Sequence, residues 1–377
     1  MTRVLISGGG IAGTATAIAL SGVGIEAVVH EAYPAGGDDA GAFLTIMRNG
    51  MAALRAIGAD RAVVAASYPA ASVELFSADG ERLEHRAIAE AGGVGPRTLT
   101  RAALYRALHA EARARGVRIE HGRRLVGAEA RPGGGVVARF ADGSLAEGDL
   151  LVGADGLHSV TRRLIDPAAP RPRYTGQHVV YGYADAVPAP TAPDAYHMVF
   201  GSRGFFGYTT PPDGRTWWFA RVPGEELAPR RRTATTAEYW RRYVLAAFRD
   251  DRAPAAAVVE ATGDDVVGGN SYDIPTTPIW HNGAMVVVGD AAHAASPAAA
   301  QGASMALEDA VTLARCLREE LPNVPRGLAA FESLRRGPAE GTVAASARLG
   351  ADATRRSAVR RPGPPGEPAA PPERPPR

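Results

Sequence analysis

The chain opens with a pattern that leaves little freedom in how it folds, VLISGGGIAGTATAIAL. Val4–Ser7 reads as a buried strand. Gly8-x-Gly10-x-x-Gly13 turns the chain into a helix expected over Ala12–Ser21, and a second strand, Ala27–His30, ends in Glu31. This is the start of a βαβ unit. Glycine at these three places permits a tight turn, close approach of the backbone to a pyrophosphate, and close helix–strand packing. The amides that begin the helix, at Ile11 and Ala12, are free donors at the positive end of its dipole. Glu31, 18 residues beyond Gly13, stands where a carboxylate accepts hydrogen bonds from ribose hydroxyls.

Almost a whole chain away the pattern returns. VVVGDAAHAASPAAAQGASMALEDA, Val286 to Ala310, reads as a second buried strand, a Gly289-Asp290 turn and an apolar helix. Two such units at opposite ends imply one long ligand held at both ends, and a dinucleotide with a large redox-active head meets that demand. Asp290 at a strand end is placed to hydrogen-bond a polyol. Pro297 fixes a loop, and Gln301-Gly302-Ala303 begin a helix whose free amides suit an electron-accepting ring that gains negative charge on reduction. A third candidate turn lies in LLVGADGLHSVTR, where a strand delivers Asp155-Gly156 to the same kind of position.

The chain of 377 residues, 46% apolar, is long enough for two lobes and a sizeable core. A net charge of +2 excludes a strongly basic nucleic-acid surface. Arg230-Arg231-Arg232, the densest basic run, reads as a solvated loop. Cys316 is the only cysteine, so no intrachain disulfide forms and a reducing cytoplasm fits. The uncharged run Val4–Ile25 is broken by glycines at both ends and lacks a signal-peptide flank, so no membrane association is expected. The nine histidines show no metal spacing, and no metal is expected.

Periodicity extends the reading. Asn49–Ile57 and Thr100–Arg115 are amphipathic helices, and Arg118–Glu120 a further parallel strand. Hairpins are expected across Asp79-Gly80, and across Asp142-Gly143 with Val136–Phe140 pairing Asp149–Val152. From Arg171 to Ile274 aromatic residues cluster in short alternating segments, with one helix near Thr236–Phe248. The expected fold is therefore α/β: a Rossmann-like domain (1–70, 98–172 and 276–345) with an inserted, largely antiparallel β-sheet domain (71–97 and 173–275). A helical segment (346–360) and a disordered Pro-rich tail (361–377) follow. Phe206, Tyr208 and Trp218 are the candidates for a surface that meets a substrate.

Taken together, the three turn segments resemble the FAD-dependent aromatic hydroxylases, the para-hydroxybenzoate hydroxylase-like flavoprotein monooxygenases, over roughly residues 1–345. The resemblance implies that Gly8, Gly10, Ile11, Ala12 and Gly13 bind the FAD diphosphate and Glu31 the adenosine ribose. Arg101, in an Arg-x-x-Leu-x-x-x-Leu pattern ending at Leu108, is similar to an arginine on the ribityl–diphosphate region. Asp155-Gly156 resembles a motif used with both FAD and NAD(P)H. Asp290 resembles the ribityl ligand, and Pro297 with Gly302-Ala303 the flavin-ring loop. Three departures stand out: Gly37-Asp38-Asp39 lie where the family carries an arginine shortly before the glycine matching Gly41, Ala300 replaces a glycine, and no long C-terminal domain follows.

The implied activity is hydroxylation of a hydrophobic aromatic or polycyclic small molecule, with NAD(P)H and O2, through a flavin C4a-hydroperoxide. No catalytic base is identified, as fits chemistry carried by a cofactor; His293, just after the Asp290 turn, reads as a loop-packing residue. Two alternatives stay open: a same-fold reductase, oxidase or halogenase, and a flavin-binding or regulatory protein without turnover. The Trp-x-Trp-x-Ile-Pro signature of flavin halogenases is absent, since Trp217-Trp218-Phe219 does not match it.

Overall fold

The computed structural model describes residues 2–34, 42–89 and 94–358. The expectations for Gly37-Asp38-Asp39, Gly41 and the Pro-rich tail therefore lie outside the described residues. The chain divides into two compact units. The first comprises Met1–Ser67, Leu99–Arg173 and Tyr272–Ala347; the second comprises Tyr68–Thr98, Tyr174–Ser271 and the chain from Arg348.

A five-stranded sheet forms the centre of the first unit, in the order Met285–Val287, Leu150–Gly153, Arg3–Ser7, Glu26–His30, Arg118–Glu120. All four pairings are parallel. Val4, Leu5, Ile6, Val29, Leu150, Val152, Val286 and Val287 are 0% exposed, which is why these strands read as unbroken apolar runs and not as alternating ones. Register places Ser7 beside both Gly153 and His30, and Gly153 beside Val287. Four strands from distant parts of the chain thus end level with one another.

The helix Ile11–Gly22 returns from the first turn and packs against the long helix Gly302–Glu320. Small residues set that contact. A Cβ on Gly289 (φ 59°) would lie 2.8 Å from the Cβ of Ala12 and 3.3 Å from that of Ala306. Asn49–Ile57 and Thr100–Arg115 appear as the helices Arg48–Ala56 and Arg101–Ala114. Thr100 caps the latter, accepting from the Ala103 N–H at 3.1 Å.

One expected hairpin is corrected. Val136–Phe140 pairs antiparallel with Leu145–Gly148, not with Asp149–Val152. The next strand, Leu150–Gly153, joins the parallel sheet, where its fully apolar sequence is buried on both faces.

The second unit is built on a seven-stranded sheet: Thr262–Asp273, Arg173–Ala184, Thr216–Pro223, Phe205–Thr209, Ala195–Phe200, Ser72–Ser77, Arg82–Ala87. Neighbours from Arg173–Ala184 to Ala195–Phe200 run antiparallel, and Ala195–Phe200 runs parallel to Ser72–Ser77. The helix Ala237–Phe248, capped by Thr236, supplies Trp240, Val244 and Phe248 to the core on one face of this sheet. Arg230-Arg231-Arg232 is exposed but helical, in Pro229–Ala234, not in a loop; Pro229 at the first helical position presets the backbone. The helix Val324–Ala358 runs without a break through the point where a separate C-terminal segment was expected to start. Among the described residues no helix is long and apolar enough to cross a membrane, and no cluster of ligating side chains suits a metal ion.

Candidate functional site

The level strand ends of the first unit bring the turn residues to one edge of the sheet, outside the carboxyl ends of the strands. There, open α/β sheets bind ligands. After Arg3–Ser7 comes Gly8 (φ 103°), where a Cβ would sit 2.4 Å from the Ala154 carbonyl oxygen. Gly13 faces a tighter limit: its Cβ would lie 1.9 Å from the Gly8 carbonyl oxygen. Gly10 meets nothing within 4 Å and leaves its side of the turn open. The helix Ile11–Gly22 begins without a side-chain cap or an acidic residue in its first turn. The amides at Ile11, Ala12 and Gly13 are therefore the free donors that an anion requires.

Glu31 is buried and spans two turns. Oε2 accepts from the Gly9 N–H at 2.7 Å and Oε1 from the Tyr33 N–H at 2.8 Å. Each oxygen keeps a further lone pair for a hydroxyl donor. Below the loop, His109 Nε2–H donates to the Gly9 carbonyl at 2.7 Å, Thr14 Oγ1 donates to it at 3.0 Å, and the imidazole stacks on Tyr105 with centroids 3.8 Å apart. These bonds hold the Gly9 carbonyl inward. His109 has no local signature, being one histidine on an amphipathic helix, and sequence reasoning passes over it.

Asp155 anchors the third turn. Oδ1 accepts from Ser159 Oγ at 2.5 Å; Oδ2 accepts from the Val160 and Thr161 amides at 2.8 and 2.9 Å and from Thr161 Oγ1 at 3.0 Å. Its carboxylate thus organises the start of the helix Val160–Ile165, and Gly156 (φ 72°) makes the turn. Arg162, 1% exposed, donates through Nη2 to the Leu157 carbonyl and through Nη1 to that of Ala291, both at 2.8 Å. It ties the Asp155 turn to the Asp290 turn. Burial pulls its pKa down, and Asp155 partly restores it.

Asp290 is exposed, and its Oδ1 lies 3.9 Å from where a Cβ on Gly302 would be. The helix Gly302–Glu320 also starts without a side-chain cap or an acid in its first turn. Gly302 and Ala303 are half-buried there, and Pro297 is exposed at the head of a short 3₁₀ turn. Ser304 Oγ accepts from the Met47 N–H at 3.0 Å, and Asn49 donates to Gln301 Oε1 at 3.2 Å. Gly50 allows this approach, since a Cβ there would meet Ser304 Oγ at 2.7 Å.

His293 and Asp309, 1% and 0% exposed, are buried behind this surface. Asp309 Oδ2 accepts from His293 Nε2 at 2.5 Å and from the Gly289 amide at 2.8 Å, while Oδ1 accepts from Arg335 Nε at 2.8 Å. Burial opposes both charges, but the partners prevail: Asp309 is held below its ordinary range and His293 above its own. The group braces the Gly289 turn. Arg101 occupies the first position of its helix; its side chain is exposed, and its N–H donates to the Ala42 carbonyl at 2.9 Å.

The expectation for the second unit is corrected. Phe206, Tyr208 and Trp218 are 0%, 1% and 0% exposed and belong to the core beneath the helix Ala237–Phe248. Phe206 stacks on Trp218 with centroids 5.5 Å apart. Strand alternation puts Tyr181, Phe205, Trp217 and Phe219 on the other face, half-buried. Residues one position along each strand fall on opposite faces, which separates these from the buried three.

A level row of strand ends, two uncapped helix starts and a free carboxylate between them define a dinucleotide-binding site of the flavoprotein type. The family described as "FAD binding domain" matches residues 1–346. The chain is 33% identical over 351 residues to an aurachin C monooxygenase/isomerase of Stigmatella aurantiaca, covering 92% of this chain and 88% of that one. It is 32% identical to a 3-amino-4-hydroxybenzoate 2-monooxygenase of Streptomyces cremeus, covering 88% and 83%. Klebsiella pneumoniae HpxO, solved with FAD and uric acid, superposes with a TM-score of 0.84 at 25% identity, covering 94% and 89%. The chain belongs to the FAD-dependent aromatic hydroxylase family and is a flavoprotein monooxygenase.

Proposed function

We propose that the chain hydroxylates a hydrophobic aromatic small molecule, taking electrons from NAD(P)H and an oxygen atom from O2. The observation that carries this reading is the convergence of the Gly8, Glu31 and Asp290 turns at one sheet edge, between two uncapped helix starts. When bound, FAD supplies the electron transfer and oxygen activation that amino-acid side chains lack. The protein's part is binding and orientation. The Ile11, Ala12 and Gly13 amides and the exposed Arg101 hold the diphosphate, and Glu31 accepts from the adenosine ribose. Asp290 accepts from the ribityl hydroxyls. Pro297, Gly302 and Ala303 place backbone donors at the ring, where a helix start stabilises added negative charge. Asp155 and Gly156 keep their turn in shape and so act on the cofactor through the backbone. The second unit supplies the surface that recognises the substrate.

The purified protein is expected to be yellow. Asp290→Ala and Arg101→Ala should each weaken FAD binding by roughly tenfold or more, the worth of a charge-assisted hydrogen bond. FAD titration monitored by flavin fluorescence measures this, and wild-type affinity in both variants would remove the site assignment. Supplied with an aromatic panel, the FAD-loaded protein should consume NAD(P)H and give products heavier by one oxygen atom. Background NAD(P)H oxidation across the panel, or products that are only hydrogenated or chlorinated, would overturn the reaction.

A further inference from the structure

Building on the reading that Pro297, Gly302 and Ala303 meet the flavin ring, we infer that Ser346 is the positioning residue for that loop: its buried hydroxyl fixes the loop backbone, and through it the amides that favour the reduced flavin. Ser346 and the loop both belong to the first unit. Ser346 is 0% exposed, on the stripe of the helix Val324–Ala358 that also buries Ala339 and Val343. A hydroxyl among such neighbours is costly unless its hydrogen bonds are made. A serine hydroxyl has one proton to give and two lone pairs to fill, and Ser346 commits all of them to one loop. It donates to the Ser296 carbonyl at 2.6 Å. With its proton placed there, it accepts from the Ala299 N–H at 3.1 Å and from Ser296 Oγ at 3.0 Å.

A serine inside a helix ordinarily donates to a carbonyl one turn back. This one donates instead across 50 residues of sequence. The loop has reason to need the hold. Pro297 lacks an N–H, and Ala300 takes φ 51° and ψ 33°, a conformation that an L residue keeps only where its surroundings enforce it. Ser346 grips the residue before Pro297 and the residue before Ala300, and so fixes the short 3₁₀ turn between them. Gln301 follows, tied to Asn49 at 3.2 Å, and Gly302 opens the uncapped helix. A helix start acts on charge only within its first turn. A small displacement of this loop therefore changes what negative charge on the ring meets.

The test uses the FAD-loaded full chain and reads the flavin itself. Its two-electron reduction potential is measured by equilibration with a reference dye, alongside FAD affinity, the absorption spectrum and the melting temperature. Ser346→Ala should disfavour reduced against oxidised flavin by roughly tenfold, a potential lower by about 30 mV. Affinity for oxidised FAD should stay within about threefold, because the Gly8–Gly13 end is untouched. Ser346→Cys keeps the size with a weak S–H donor and should fall between the two. Ser296→Ala leaves both backbone bonds of Ser346 in place, so its potential should match the wild type to within about twofold in that ratio, about 9 mV. A lower melting temperature with an unmoved potential in Ser346→Ala is what a merely structural serine gives, and would overturn the inference. Equal shifts in Ser296→Ala and Ser346→Ala would do the same. Should Ser346→Ala fail to fold or to hold FAD, Ser346→Cys against Ser296→Ala carries the test: a lower potential in the first alone supports the inference, and any other pattern overturns it.

Gly302→Leu checks the loop assignment separately. A Cβ there would have Asp290 Oδ1, at 3.9 Å, as its nearest neighbour, so the fold has room for the side chain and a bound ring does not. The variant should change the flavin spectrum and weaken FAD binding by roughly tenfold. A perturbed flavin in Gly302→Leu with an unmoved potential in Ser346→Ala would overturn the inference and keep the loop assignment. An unchanged spectrum, potential and affinity in Gly302→Leu would remove the loop assignment, and with it the role given to Ser346.

Discussion

Ala300 shows how one substitution becomes physical only when its backbone is seen. It holds φ 51° and ψ 33°, the one non-glycine among the described residues with positive φ. An L side chain enters that region at a cost of about 1–2 kcal/mol, part of which glycine returns as chain entropy. Ala300→Gly should therefore raise stability by roughly 0.5–1 kcal/mol, visible as a melting temperature higher by about 1–3 °C. The residue is exposed, so no packing is lost. The turns at the motif glycines and at Asp290 were legible because a strand–turn–helix unit demands particular residue types at fixed places. Arg162 and His109 were not, because an arginine or a histidine on a helix carries no local mark of what it will meet.

Among elements, the contact between the Gly289 turn and the last two helices depends on the buried Asp309 carboxylate. Arg335→Met keeps much of the side-chain volume but leaves Asp309 with His293 as its one charged partner. A loss of roughly 3–5 kcal/mol is expected, as for other buried pairs broken on one side. Chemical denaturation of the FAD-free protein measures it, and a cost under about 1 kcal/mol would show that the network does not brace the turn. Helices were read well wherever a cap or a stripe marked them, as at Thr100 and Thr236. The failed hairpin at Leu150–Gly153 has a specific cause. An apolar strand after a turn pairs backwards unless another strand claims it, and Arg3–Ser7, nearly 150 residues earlier, does so. Likewise, alternation gave the two faces of the aromatic sheet but not which face the helix Ala237–Phe248 would cover.

For the molecule as a whole, buried histidines set the acid limb of stability. His30 is 2% exposed and packs on Phe140, with Glu120 3.5 Å from Nδ1. Burial lowers its pKa to about 4, with Glu120 opposing and Arg123, Arg118 and Arg3 assisting. Because the folded value lies below the unfolded 6.5, the unfolded chain takes up the proton first as pH falls. The stabilisation is complete above 6.5 and is lost on the way to 4. His293 has the opposite sign: its contribution is present below 6.5 and fades as pH rises through its raised folded value. Between pH 7.5 and 5 the His30 term alone is worth roughly 2 kcal/mol. Urea midpoints at the two pH values should differ accordingly in the wild type and by clearly less in His30→Phe; an equal difference would assign the acid limb to other groups.

The sheet order also sets a timetable. On the ribosome, Arg3–Ser7, Glu26–His30, Arg118–Glu120 and Leu150–Gly153 emerge early, whereas Met285–Val287, which covers the Leu150–Gly153 edge, is made last. At roughly 5–20 residues per second, the growing chain carries that open apolar edge for about 7–26 s while the second unit is synthesised. Gly289, Asp290 and the helix from Gly302 arrive later still, long after the Gly8–Gly13 turn and Glu31. Only a chain translated past Ala306 can bury the Ala12–Gly289–Ala306 contact. Chains stalled before that point present an unpaired strand edge, which makes them natural clients for chaperones and proteases.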